Sequence, residues 1–142
     1  KQYIDSYLAR YASIREYMDA MALKAEEEGF VTTLLGRRRS VPEVRSANFN
    51  EHEAGRRIAI NTPIQGTAAD IIKIAMVRIH ERMKGMESRM ILQVHDELVF
   101  EAAIEELEPL KTLVKEEMEN AMKLEVPVRA EIGAGKNWAE AH

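Results

Sequence analysis

The stretch Met90–Glu101, MILQVHDELVFE, limits what this chain can fold into more than any other. Two apolar runs, Met90–Leu92 and Leu98–Phe100, flank Gln93 and the polar group His95, Asp96 and Glu97. β-Branched and large apolar residues bounded by polar ones read as a pair of buried strands, so the spacing predicts an antiparallel hairpin over 89–101. The polar group then lies at the turn or in mid-strand, with no glycine to ease it. Two neighbouring carboxylates between dry strands are unfavourable unless water or a cation meets them. A solvated polar turn and an oxygen site for a hard divalent metal such as magnesium are both open at this point. Successive strand side chains point to opposite faces, so Asp96 and Glu97 do not serve one ion unless the turn rotates them.

The rest of the chain reads mostly as helix. Apolar or aromatic positions Tyr3, Ile4, Tyr7, Leu8 and Tyr11, then Ile14, Tyr17, Met18, Met21 and Ala22, recur at helical spacing. They predict helices over 2–10 and 13–28, with Ser13 and Glu16 at capping-box spacing and Gly29 as the left-handed stop. Phe30–Leu35 and Arg37–Val41 read as two short strands about Gly36, and Pro42–Asn50 as a loop. From Asn50 to Lys84 the pattern is helical, but Pro63 gives no N–H to the carbonyl of Ala59 and predicts a kink or two helices end to end. Beyond it, Ala68, Ile72, Ala75, Met76, Ile79 and Met83 form one apolar stripe, closed by Gly85. Ile104–Met122 is amphipathic, with Pro109 best placed in its first turn. Val126–Ile132 alternates as a strand, and Pro127 assigns it to a sheet edge. The fold class that follows is α+β: a small antiparallel sheet, the central hairpin 89–101 plus strand 126–132, covered by helices, with a helical N-terminal appendage.

Composition enters through charge. The chain has 142 residues and a formal net charge of −4, which speaks against a nucleic-acid partner if the charge is evenly spread. It is not. Between residues 37 and 57 six arginines face three glutamates, whereas residues 101–125 carry eight acids against three lysines. A basic belt of this kind can hold phosphates, and solvated charge on opposite helix faces accounts for it equally well. With no cysteine there is neither a disulfide nor a thiolate metal site, which fits a reducing cytoplasm. No apolar run approaches the roughly 18 residues of a membrane span. His52, His80 and His142 are scattered without zinc-site spacing. A start at Lys1 rather than methionine points to a fragment or a processed chain.

The wording of the central stretch goes further. QVHDELVFE resembles motif C of the family A DNA polymerases, the bacterial polymerase I type. Arg57-Ile-Ala-Ile-Asn61-Thr-Pro-Ile-Gln65-Gly-Thr-Ala-Ala-Asp-Ile resembles the helix that precedes motif C, and Leu35-Gly-Arg-Arg-Arg39 resembles that family's arginine hairpin. Gly135-Lys-Asn-Trp138 resembles its carboxyl terminus. The four pieces occur in the family's order over nearly the whole chain. The resemblance implies that residues 1–47 are the end of the fingers subdomain and 48–142 the carboxyl-terminal part of the palm.

The resemblance also implies roles. Asp96 is a metal-binding carboxylate, with Glu97 beside it as a weaker or indirect catalytic ligand, and His95 lies near the primer terminus. Arg57, Asn61 and Gln65 contact DNA, as do Gln93 and the hairpin arginines Arg37 and Arg38. Four-residue spacing gives Arg57, Asn61 and Gln65 one polar stripe if the helix is continuous, and amide donors suit minor-groove acceptors present at every base pair. Strand alternation lets at most two of Arg37–Arg39 reach one duplex. The implied activity is template-directed nucleotidyl transfer from deoxynucleoside triphosphates to a primer 3′-hydroxyl with two magnesium ions (Mg2+). Primer–template DNA is the implied partner. In the family the second metal aspartate and the triphosphate-binding helix lie upstream of Lys1, so this chain alone is expected to be inactive. One departure stands out: Arg56 occupies a position that family members commonly give to an acid. Two other readings use the same residues, a metal-dependent nuclease on Asp96, Glu97 and a third acid, and a non-catalytic nucleic-acid-binding module.

Overall fold

The apolar spacing of the first thirty residues is realised as two helices that end in a left-handed glycine. A computed structural model of the chain describes residues 2–141. Helix α1 spans Gln2–Arg10 and α2 spans Ala12–Glu28. Ser13 does not cap α2 but lies inside it, and Tyr11 takes the cap position without a side-chain bond. The Tyr11 N–H bonds to the Tyr7 carbonyl at 3.0 Å and the two rings stack tilted at 4.8 Å, so the chain restarts its helix before Ser13 is reached. Gly29, at φ +82°, ends α2 with its N–H on the Ala25 carbonyl.

Strands β1 (Phe30–Thr32) and β2 (Arg38–Ser40) pair antiparallel, Val31 opposite Arg39. A 3₁₀ turn at Pro42–Arg45 leads into helix α3, Phe49–Arg82. Val31, Val41 and Val44 are buried with Ala25 and Ala59 in a first core. Gly55 is required there: a Cβ would lie 2.5 Å from the Val44 backbone nitrogen. Arg45 seals the end of α2, its Nε donating to the Glu26 carbonyl and its Nη2 to that of Glu27. Those carbonyls have no helical donors and sit at the negative end of the helix dipole.

The chain divides into two units between Thr67 and Ala68. In the second, β3 (Arg89–Val94) and β4 (Glu97–Glu101) form the expected antiparallel hairpin, with a bulge between Met90 and Leu92. After a 3₁₀ turn at Ile104–Glu106 comes α4, Leu107–Glu119, and near the chain end α5, Trp138–Ala141. Ala75, Ile79 and Met83 pack with Leu110, Val114 and Ala121 in a second core, against which Met90, Leu98 and Phe100 of the hairpin lie. Pro109 falls in the first turn of α4, as the sequence requires, while Ile104 precedes the helix and is 86% exposed.

Three expectations need correction. Pro63 does not divide the helical segment: α3 runs unbroken over 34 residues. A single missing hydrogen bond is small beside the packing of Ala59 before the proline and Ala75, Ile79 and Met83 after it. The hairpin strands are buried on one face only, since Ile91 and Leu92 are exposed. Residues 126–132 form no strand, and the described residues make two separate two-stranded sheets. Pro127 has no N–H to give, the N–H of Ala130 goes to the Glu119 carboxylate at 3.1 Å, and Val126 is exposed, so there is no buried face for alternation to serve. The α+β class holds.

Glu106 ties the start of the hairpin to the turn before α4. Its carboxylate accepts from the backbone N–H groups of Glu87 and Ser88 and from the Ser88 hydroxyl, which in turn accepts from the Ala103 N–H. The Ser88 hydroxyl and these N–H groups hold the Glu106 carboxyl below its ordinary range. A depressed folded-state pKa stabilises the fold above the ordinary glutamate value, and that stabilisation disappears as pH falls through the depressed value. Glu106→Gln should therefore flatten the acid limb of an unfolding-versus-pH curve followed by circular dichroism. Gly55→Ala should destabilise by about 2 kcal/mol in denaturant titration, overpacking outweighing a helix-propensity gain of about 1 kcal/mol.

Candidate nucleic-acid and metal site

Residues implicated from sequence fall in both units. In the second, the loop joining β3 to β4 is only two residues long, His95 and Asp96, with Val94 opposite Glu97. A loop this tight needs a left-handed residue, and here it is His95 at φ +53°, the one non-glycine residue with positive φ among those described. Histidine tolerates that region better than most side chains, though glycine would be the unstrained choice. The Gln93 amide steadies the turn, its Nε2 donating to the His95 carbonyl at 2.7 Å. Packing of Met90, Leu98 and Phe100 fixes the strands beneath. Asp96 is thus an exposed carboxylate on a stiff support, and Glu97, on β4, is half-buried.

Asp96 supplies hard oxygen donors of the kind magnesium takes. Among the described residues no three of His, Cys, Asp and Glu gather around one point. One carboxylate alone is not a metal site.

In the first unit, Arg57, Asn61 and Gln65 are all exposed on α3, while Ala59 and Thr62 between them are buried. Because the helix continues through Pro63, the stripe survives, turning by about 40° per four-residue step. The Tyr17 hydroxyl donates to the Ile60 carbonyl at 2.9 Å, and burial raises its phenol above the usual range. The Arg37 guanidinium donates to the Gly66 carbonyl at 2.9 Å, beside Gln65, and Arg38 lies over the Phe30 ring at 4.7 Å. Both arginines are exposed. Arg56 pairs with Asp19 at 3.7 Å, so part of its charge is met within the fold. His52 approaches Glu26 and Glu53, His80 stands apart on α3, and His142 lies outside the described residues.

Sequence reasoning passed over Thr33 and Thr67, both buried: Thr67 accepts from the Leu34 N–H and so joins the β1–β2 turn to α3, and Thr33 accepts from the Arg37 N–H within that turn. The available signal was a threonine four residues after a proline, where a hydroxyl can reach the proline carbonyl.

The model for DNA polymerase family A matches residues 1–140. DNA polymerase I of Lactococcus lactis subsp. cremoris is 44% identical over 143 residues, which is 99% of this chain and 16% of that protein. That of Bacillus subtilis is 46% identical over 141 residues, 98% of this chain and 16% of that protein. A solved structure described as the POL domain of Pol1 from M. smegmatis, in complex with DNA primer-template and dNTP, superposes with a TM-score of 0.93 at 44% identity. The match covers 97% of this chain and 25% of that one. This chain therefore spans about one-sixth of the length of the curated relatives it matches. No helix among the described residues is long and apolar enough to cross a membrane.

The left-handed turn makes its own prediction. His95→Val should destabilise by about 1–2 kcal/mol, because a β-branched residue fits positive φ worst. His95→Gly should leave stability within about 1 kcal/mol of the parent, backbone relief offsetting lost chain stiffness. Denaturant midpoints of the two variants provide the comparison, and equal losses would mean that φ at this position is relaxed in solution.

Proposed function

Because the chain belongs to DNA polymerase family A, we propose that it is the carboxyl-terminal part of a template-directed DNA polymerase, acting on primer–template DNA and deoxynucleoside triphosphates. The observation that carries this reading is the stiff turn presenting Asp96, in a chain 44% identical to a polymerase domain solved with primer-template and dNTP. Residues 1–47 are assigned to the end of the fingers and 48–142 to the palm. Its site of action would be the bacterial cytoplasm or nucleoid.

Each residue then has a task. The Asp96 carboxylate would hold magnesium, with Glu97 in an indirect role. When bound, magnesium would supply the positive charge that polarises an attacking hydroxyl and neutralises a leaving phosphate, chemistry for which polymerases are a standard instance. His95, beside Asp96, would hold a sugar or phosphate oxygen at the primer end, with Gln93 fixing the turn. Asn61 and Gln65 would donate to minor-groove acceptors, sensing pair geometry without reading sequence. Arg57, Arg37 and Arg38 would meet backbone phosphates, adding to the salt dependence of binding. Most of the rate then comes from alignment and preorganised charge, to which this chain contributes one metal carboxylate and the grip on product duplex. The chain alone would not polymerise, since the second aspartate and the triphosphate-binding helix belong to the preceding polypeptide.

The nuclease alternative needs three acids around one ion, and the described residues assemble no such group. In the complete polymerase, Asp96→Ala should lower nucleotide incorporation by at least about 10³-fold while primer–template affinity changes by less than about threefold. Single-turnover incorporation and equilibrium DNA binding measure the two. Unchanged incorporation would leave only a DNA-binding module, and magnesium-dependent hydrolysis by the isolated chain would favour a nuclease.

A further inference from the structure

The part of α3 that carries Asn61 and Gln65 is braced by side chains and backbone of neighbouring elements. Pro63 leaves the Ala59 carbonyl without its helical donor, so the turn Ala59–Pro63, which carries Asn61, is one hydrogen bond short. Three contacts brace α3 at and just beyond this turn, between Ile60 and Thr67. The Thr67 hydroxyl donates to the Pro63 carbonyl and accepts from the Leu34 N–H at 3.0 Å, joining the helix to the β1–β2 turn. Arg37 donates to the Gly66 carbonyl, and Thr33 accepts from the Arg37 N–H at 3.2 Å, so the hairpin tip is itself braced. Tyr17 of α2 donates to the Ile60 carbonyl. The approach is close: a Cβ at Gly66 would lie 2.6 Å from the Thr33 methyl.

Thr67 is 7% exposed and the Tyr17 hydroxyl is engaged by the Ile60 carbonyl, whereas Asn61 and Gln65 are exposed. We propose that Thr67 and Tyr17 are positioning residues that set the aim of Asn61 and Gln65, making the β1–β2 hairpin a clamp on the geometry-sensing stripe. The inference rests on the reading of Asn61 and Gln65 as duplex contacts. A hydrogen-bond donor that senses base-pair geometry discriminates only if its own position is fixed more tightly than the displacement it must detect. A proline-weakened turn without a clamp does not meet that condition.

The test uses the complete polymerase and the ratio of kcat/KM for extending a matched over a mismatched primer terminus. Thr67→Val keeps the shape and removes both hydroxyl bonds, and should lower the ratio by about tenfold. Thr67→Ser should restore it to within about twofold, and Tyr17→Phe should lower it by about threefold. In a Gln65→Ala background Thr67→Val should have no further effect on the ratio. Unchanged ratios in Thr67→Val and Tyr17→Phe, with lowered melting temperatures, would make both residues merely structural and overturn the proposal. So would full additivity with Gln65→Ala. If Thr67→Val does not fold, Tyr17→Phe alone decides. If Gln65→Ala itself leaves the ratio unchanged, the duplex-contact reading fails first, and the clamp with it.

Discussion

Everything in this fold leans on α3 remaining a helix across a proline. Ala59 is in the first core and Ala75, Ile79 and Met83 are in the second, so one element supplies apolar surface to both units. Burying the two larger side chains, Ile79 and Met83, contributes about 1.5–3 kcal/mol each, so together they match or exceed the roughly 3 kcal/mol that an interior proline takes from a helix. The consequence for function is direct. Spacing of four residues means one face only on an unbroken helix, and Arg57, Asn61 and Gln65 share a face because tertiary packing overrides local propensity.

The charge pattern acquires a different meaning once each arginine has a place. From sequence, six arginines between residues 37 and 57 read as a belt for phosphates. In the fold, Arg45 closes the last turn of α2, Arg56 meets Asp19, Arg37 reaches a helix carbonyl and Arg38 covers an aromatic ring. Arginine carries five donors, so a guanidinium anchored by one of them still presents charge. The belt is thus partly scaffold. The acid-rich half shows the same economy: Glu116 and Glu117 meet Arg82, raising that guanidinium's pKa, and Glu106 organises a loop.

How far the sequence could be read depended on whether a signal was local. The β3–β4 hairpin was legible because two apolar runs flank three polar residues, and α2 because Gly29 marks its stop. Pro109 marked the first turn of α4 for the same reason. Residues 126–132 misled because alternation describes only the side chains, whereas a strand also needs a partner for its backbone, and Pro127 and Glu119 removed that option. Ser13 misled because capping depends on where the preceding chain turns, which the Tyr7–Tyr11 contact decides. At the candidate site the resemblance implies which residues act, while the contacts that support them are visible only in the fold. Thr67 accepts from the Leu34 N–H across 33 residues of sequence, a pairing that no window of neighbouring residues contains, whereas Thr33 acts locally on the Arg37 N–H four residues on.

Strain and support occupy opposite ends of the same problem. At the hairpin turn a histidine accepts left-handed φ where glycine would be relaxed, while on α3 a proline removes the bond to the Ala59 carbonyl in the turn that bears Asn61. Both choices are locally unfavourable, and both lie beside residues proposed to touch the reacting end of a duplex. A glycine at position 95 would widen the range of directions open to Asp96, because it visits positive and negative φ alike. A non-glycine residue forced into that region has a single narrow well, so the strain comes with a fixed carboxylate. On α3 the same end is reached by the opposite means, a weakened turn held by bonds from two neighbouring elements. A site of the proposed kind, working by alignment, needs rigidity more than local stability; under that reading the packing beneath the hairpin in one unit, and the proposed clamp around residues 60–67 in the other, would each supply it.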